Sequence, residues 1–262
     1  MNIARSTFYY RRKETPDDAR LIDKIGDICL EFPGYGYRRV TKQLQSEMVI
    51  NHKKVLRLMR ESDLLCRKRR KRMMTTNSKH HFPRYPNLIK DMVVSQINQV
   101  WLADITYIRI RNGFVYLAAI LDAYSRRVVG YAISKSLETS LALEALHSAI
   151  AARQPAPGVI HHSDQGIQYA SDEYVNALCR HGFSISMSRR GNPYDNATME
   201  SFFKTLKYEE VYLSDYESFE DVQERIPYFL EEVYNRKRLH SALGYRSPVN
   251  FETPMRTGRN RE

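Results

Sequence analysis

Apolar positions along the chain change period twice, and each change marks a different kind of element. Leu21, Ile25, Ile28, Cys29 and Phe32 recur every three to four residues, which places them on one face of a helix. Thr15-Pro16-Asp17-Asp18 precedes them as a start signal: a capping hydroxyl, proline at the first position and acids in the first turn. Proline and glycine in "PGYGY", residues 33–37, break the chain. A second helix follows with Val40, Leu44 and Met48 inward. Asn51 caps a third, with Val55, Leu58 and Met59 inward and Lys53, Arg57 and Arg60 outward.

From residue 98 the period shortens. "QVWLADITYIRI", "GFVYLAAILDAYS" and "RRVVGYAISKSL" read as three strands, with Gly113 in the first turn. "ETSLALEALHSAIAAR" is a helix with Leu141, Ala145 and Ala149 inward, and "GVIHHSDQG" is a short buried strand ending in turn residues. "SDEYVNALCRHG" is a helix capped by Ser171 and stopped at Gly182, and "FSISMS" is a fifth strand. "RGNPYDNATMESFFKTLK" then opens with turn residues and becomes a helix. Met199, Phe202, Phe203 and Leu206 form its apolar stripe, and Glu200, Lys204 and Lys207 share the adjoining face. Three hairpin strands followed by alternating helices and strands predict an α/β layered sheet behind a small all-α region.

Composition changes the picture mainly through charge. The 262 residues carry a net +11, but residues 1–90 hold 22 Lys and Arg against 9 Asp and Glu, leaving the remainder near neutral. A basic module joined to a near-neutral one points to a polyanion, with phosphate foremost. Three short helices with a basic outer face on the last resemble a helix-turn-helix, although a small solvated bundle shows the same pattern. The six basic residues Arg67, Lys68, Arg69, Arg70, Lys71 and Arg72 have no periodicity around them. They read as a linker lying along DNA or as a solvated tether. Mean hydropathy is −0.55, no apolar run reaches a membrane span, and "MNIARSTFYYRRKE" lacks the apolar core of a signal peptide. The expectation is therefore a cytoplasmic protein with no membrane partner. Cys29, Cys66 and Cys179 have neither metal nor disulfide spacing and read as buried free thiols.

The candidate chemistry lies in three carboxylates. Asp104 sits mid-strand among Trp101, Leu102, Ile105, Tyr107 and Ile108, where a lone charge is costly unless paired or metal-bound. Asp164 ends another apolar strand, and Glu200 lies in the first turns of the later helix. Elements of this kind can converge at one sheet edge, and such a group repels itself unless cations neutralise it. Oxygen-only ligands select Mg²⁺ or Mn²⁺, and a pair of such ions serves displacement at phosphorus.

"WLADITYI", "HHSDQGIQYAS" and "NPYDNATMESFFKTLK", with 35 residues between Asp164 and Glu200, resemble the D,D-35-E core of retroviral-integrase-like transposases. The match is to the OrfB-type catalytic region of copy-out–paste-in bacterial insertion sequences. "YGYRRVTKQL" and "YNRKRLHSALGYRSPVNFE" are similar to the same family, so the resemblance spans nearly the whole chain. It implies an RNase H-like mixed five-stranded sheet flanked by helices, with Asp104, Asp164 and Glu200 binding two Mg²⁺ ions (Mn²⁺ as substitute). The implied activity is that of a polynucleotidyl transferase. Water frees a 3′ hydroxyl at the element's end, and that hydroxyl then attacks another phosphodiester without a covalent protein intermediate. Lys207 matches the position where the family places a basic residue on the element's end.

The organisation expected is residues 1–66 helix-turn-helix-like, 67–96 basic linker, 97–212 catalytic core and 213–262 helical extension. Lys204, Arg38, Arg39, Lys53, Lys54, Arg57 and the 67–72 run join Lys207 as expected DNA contacts. The expected partners are double-stranded DNA at element ends and target, a homo-oligomer of two or more chains on that DNA, and an upstream-frame partner or fusion carrying a helix-turn-helix and a zipper. Two other readings stay open: an RNase H-like nuclease or resolvase without joining, and a DNA-binding regulator without chemistry. Asp122 reads as a turn cap or a neighbour of the site. Asn192, Asp195 and Asn196 read as turn and cap residues, and Trp101 and Tyr169 as packing. His161 and His162, on opposite strand faces, leave at least one structural. Tyr234, Asn235, Arg236, Arg238 and His240 read as a contact surface or as structure.

Overall fold

The periodic apolar positions of the amino-terminal stretch fold as three helices: α1 (Pro16–Glu31), α2 (Tyr37–Leu44) and α3 (His52–Glu61). The structure, a computed structural model, describes residues 16–66, 83–188 and 196–253. It divides into two units, Met1–Lys68 and Arg69–Glu262. The expected helix-cap Thr15 and the basic run 67–72 lie outside the described residues.

In the first unit Leu21, Ile25, Val40, Leu44, Val55, Leu58 and Met59 are buried, as the period requires. Phe32 and Tyr35 stack across the α1–α2 break with ring centres 4.5 Å apart. Asn51 caps α3, its side chain accepting from the Lys53 N–H at 2.9 Å. Met48 does not continue α2. After Leu44 the backbone tightens, with the Ser46 N–H donating to Gln43 and the Glu47 N–H to Leu44, so Met48 sits half-buried in a turn. Asp18 is buried by α3, accepting from Lys54 at 2.8 Å and from Arg57 at 2.9 Å.

The second unit is built on β1 (Val100–Ile110) and β2 (Gly113–Asp122), antiparallel from Trp101↔Asp122 to Ile110↔Gly113. Gly113 takes φ 138° at the turn, a region open chiefly to glycine. β3 (Val128–Ser134) pairs antiparallel with β2. After α4 (Thr139–Arg153), β4 (Ile160–Ser163) pairs parallel with β1. α5 (Ile167–Ala170) and α6 (Asp172–Arg180) lead to β5 (Ser184–Met187), parallel to β4, and α7 (Ala197–Leu206) follows. The order β3-β2-β1-β4-β5 is the expected mixed five-stranded sheet.

Both faces of the sheet are covered, which explains why "VYLAAIL" is apolar without alternation. Ala118 and Ile120 of β2 join Leu146, Ala149 and Tyr174 on one face, whereas Leu117, Ala119 and Leu121 join Met199, Phe202 and Ile226 on the other. β3 lies directly on α4: a Cβ on Gly130 would stand 2.5 Å from Ala145 O and Ala149 N, so any side chain there separates the layers.

The carboxy-terminal segment completes the second face. α8 (Phe219–Tyr228) starts in a capping box between Ser218 and Asp221, contains Pro227, and widens into a π-helical stretch over Phe229–Lys237. Asn235 clamps the start of β3, its Oδ1 accepting from the Val128 N–H and its Nδ2 donating to Val128 O, both at 2.9 Å. Buried Arg238 binds both Glu209 oxygens, at 2.6 and 2.7 Å. Tyr234, Asn235, Arg238 and His240 are thus structural, while Arg236 is exposed beside Glu232. Glu252, in α9 (Pro248–Glu252), is gripped by Arg127 and Arg153. The cysteines depart from expectation: Cys29 is half-buried and Cys66 and Cys179 are exposed, Cys66 lying beyond the last helical residue of α3, Glu61. No described helix is long and apolar enough to cross a membrane.

Candidate active site

β1 and β4 run parallel, and the candidate aspartates follow their paired stretch. Pairing ends at Leu102↔His162; Asp104 lies two residues on, and Asp164 follows Ser163, the last residue of β4. Beyond that point β1 is paired on one side only, with β2. Asp104 has the strand parity of Leu102 and Ile108, whose face carries α7.

Asp104 is held on both oxygens. Its Oδ1 accepts from the Ile105 N–H at 2.8 Å, and its Oδ2 accepts from Asn196 Nδ2 at 3.1 Å. These bonds favour the anion, yet burial and then the Asp164 charge push its pKa up from 3.8 to about 7, with Glu200 a smaller contributor in the same direction. Asp164 Oδ1 accepts from the Gly166 N–H at 2.9 Å, a tight turn that fixes the carboxylate. Gly166 leaves room for that carboxylate, since a Cβ there would lie 2.8 Å from Asp164 Oδ1 and push it from its place.

Glu200 is exposed in the first turn of α7, and its charge reaches Asp104. Among the described residues it makes no ion pair with Lys204, which is also exposed, so an i,i+4 pair does not explain it. Nor do any three His, Cys, Asp or Glu side chains among the described residues stand together as a ready metal cage. Asp104 and Asp164 instead form a two-carboxylate nucleus with Glu200 at its border. The donors are all oxygen, and partial burial together with the Asp164 charge raises the proton affinity of Asp104. A hard divalent cation relieves that strain, so the residues fit Mg²⁺ or Mn²⁺.

Lys207 ends α7 and begins a wider π-helical turn, Lys207–Val211, in which the Tyr212 N–H donates back to Lys207 O at 2.8 Å. Its ammonium lies 4.4 Å from the Tyr107 ring centre. Burial lowers its pKa, and the Asp104 charge opposes that shift.

The other candidates separate by their partners. Asp122 is a turn cap, accepting from the Asn98, Tyr124 and Ser125 N–H groups. Both strand histidines are structural: His161 Nε2 meets the Tyr174 hydroxyl at 2.9 Å, and His162 Nδ1 meets Ser186 Oγ at 2.8 Å. Trp101 is fully buried, its Nε1 donating to Asn98. Asn196 does not cap α7 with its side chain; it binds Asp104, and its place four residues before Glu200 was the available signal. Asn192 and Asp195 lie outside the described residues.

In the first unit, Lys53 and Arg38 are exposed, and Arg39 is half-buried with its guanidinium 5.5 Å from the Tyr35 ring centre. Lys54 and Arg57, both partly exposed, each pair with Asp18, at 2.8 and 2.9 Å.

Three family models match the chain. An HTH-like domain matches residues 16–72, and two integrase core domain models match 94–193 and 181–248. A protein of Lactococcus lactis subsp. lactis strain IL1403 described as the transposase for insertion sequence element IS904 is 40% identical over 235 residues, covering 88% of this chain and 93% of that one. The insertion element IS600 31 kDa protein of Shigella sonnei is 36% identical over 258 residues, covering 95% and 94%. The transposase InsF for insertion sequence IS3A of Escherichia coli K12 is 38% identical over 220 residues, covering 83% and 76%. Among solved structures, a chain of the simian T-cell lymphotropic virus intasome in complex with the PP2A regulatory subunit B56 gamma superposes with a TM-score of 0.53 at 18% identity. It covers 87% of this chain and 74% of that one, a likeness of fold.

Proposed function

The chain belongs to the IS3-family insertion-sequence transposases with an HTH-like domain and an integrase core, and on that premise we propose that Asp104, Asp164 and Glu200 are its catalytic carboxylates. The reaction is metal-dependent cleavage at insertion-sequence ends followed by strand transfer of the freed 3′ hydroxyl to DNA. The observation that carries this reading is the pairing of Asp104 and Asp164 beyond the parallel β1–β4 ladder, with burial and mutual repulsion raising Asp104.

In the first step water attacks a phosphodiester at the element end, and a 3′ hydroxyl leaves. In the second, that hydroxyl attacks a phosphodiester of the joined DNA, and one new bond replaces one broken bond. Asp104 and Asp164 would hold the divalent ions, Glu200 would complete the ligand set from α7, and Asn196 orients Asp104 through its Oδ2. A pair of Mg²⁺ ions, or Mn²⁺ in their place, would supply charge stabilisation for the displacement at phosphorus. Lys207 contacts a phosphate near the cleaved end, with Lys204 further along the same face. Arg38, Arg39, Lys53 and the 67–72 run bind duplex phosphates, and the reacting assembly is an oligomer on the DNA.

An oligonucleotide carrying the element's terminal repeat, incubated with the full chain and Mg²⁺, should yield both a nicked end and a joined product. Glu200→Gln should abolish both and leave DNA binding nearly intact. Strand transfer by Glu200→Gln within tenfold of the unaltered chain would overturn the assignment. Nicking without joined product would convert the reading to a nuclease.

A further inference from the structure

Tyr169 lies in α5, five residues after Asp164, and is buried to 3% exposure. Its ring packs edge-on against Tyr174, with centres 5.4 Å apart, and beside His161 at 6.2 Å. The neighbouring Tyr174 hydroxyl is bonded to His161 Nε2, and the Tyr216 hydroxyl to Glu210. The Tyr169 hydroxyl is different. It is buried with no hydrogen-bond partner among the described residues. Buried donors are nearly always satisfied, so an orphaned one in a well-packed core needs a reason.

The surroundings of the ring supply one. The point where a Gly166 Cβ would stand is 2.8 Å from Asp164 Oδ1 and 3.6 Å from Tyr169 Cδ2, so the carboxylate and the ring flank the same glycine. The hydroxyl also feels the charges of both Asp104 and Asp164. Together with burial and Tyr174, which act more strongly, they hold its pKa well above the ordinary tyrosine value. The group is therefore a buried, neutral, unpartnered donor on a ring that shares the Gly166 turn with Asp164. The core alone needs no hydroxyl there, since a phenyl ring makes the same contacts with His161 and Tyr174.

We propose that Tyr169 is a positioning residue whose hydroxyl donates a hydrogen bond into the Asp104–Asp164 pair when that pair holds its divalent cation. Donors behind carboxylate ligands fix the oxygen that faces the metal, and their loss typically costs about 10- to 100-fold in metal affinity. The inference rests on the reading of these aspartates as the metal site.

Tyr169→Phe in the full chain tests it, with Asp164→Asn as control. Mn²⁺ binding is followed calorimetrically without DNA, metal-free thermal unfolding is recorded, and the Mg²⁺ concentration for half-maximal end cleavage is measured. Tyr169→Phe should unfold at the same temperature as the unaltered chain or above it. It should also need roughly tenfold more metal for half-saturation in both titrations. A fall in the metal-free unfolding temperature would assign the hydroxyl a structural partner and overturn the proposal. So would a half-saturation within twofold of the unaltered chain while Asp164→Asn abolishes Mn²⁺ binding. Should Asp164→Asn also leave Mn²⁺ binding intact, the metal site itself is misplaced and the proposal falls with it.

Discussion

Replacing Asp104 by Asn should make the metal-free protein more stable, and the structure supplies the size of the effect. Burial and the Asp164 charge raise the Asp104 pKa from 3.8 to about 7. Each pH unit of such a gap is worth about 1.4 kcal/mol, so the ionised side chain costs the folded state at most about 4 kcal/mol. The carboxylate keeps some solvent contact and shares the repulsion with Asp164, which brings the figure to roughly 2–4 kcal/mol. An amide removes the charge and can keep its partners. Its Oδ1 can still accept from the Ile105 N–H. Asn196 Oδ1 is buried without a partner among the described residues, so turning that amide over lets it accept from the side-chain N–H that the substitution introduces.

The sign of the pH dependence follows. A carboxyl with a raised folded pKa retains a proton that the unfolded chain has already released, so its penalty is absent below about pH 4 and complete above about pH 7. Differential scanning calorimetry in EDTA should therefore show Asp104→Asn unfolding roughly 4–15 °C higher at pH 8, with the difference vanishing near pH 4. In Mg²⁺ the advantage should shrink or reverse, because only the aspartate gains from the ion. A variant no more stable than the unaltered chain at pH 8 without metal would refute the account of Asp104 as a strained, half-buried carboxylate.

Gly166→Ala should disable cleavage while leaving the sheet folded, because its Cβ would stand 2.8 Å from Asp164 Oδ1; wild-type metal affinity in that variant counts against the geometry. Asp18→Asn should loosen the first unit by releasing Lys54 and Arg57, read as faster amide exchange across α1 and α3 in the full chain. The pairing, with Lys54 ahead of Arg57, lowers the Asp18 pKa to about 2. Its contribution is thus complete above about pH 4 and lost as pH falls toward 2, and exchange rates indifferent to the substitution at pH 7 contradict it. Lys207→Ala should weaken engagement of the element end and flatten the slope of log K against log salt by about one unit; an unchanged slope removes Lys207 from the DNA contacts.

Local pattern alone determined much of this protein. The helix faces of Leu21–Phe32 and Val55–Met59, the Asn51 and Ser171 caps, and the five strands follow from period and cap chemistry, which act within a few residues and are readable without neighbours. The order Asp104, Asp164, Glu200 was equally legible, because its signal is spacing along the chain. What only the tertiary structure decided was pairing across long separations. Asn196 could be read as a cap until β1 brought Asp104 to it across 92 positions. Lys54 and Arg57 could be read only as basic candidates for DNA until Asp18 met them from α1. The run from Tyr234 to His240 was ambiguous until Asn235 closed on Val128. A polar side chain takes its role from the donor or acceptor that faces it. That partner is set by the packing of apolar faces elsewhere in the chain, so periodicity places the residue while the fold selects its bond.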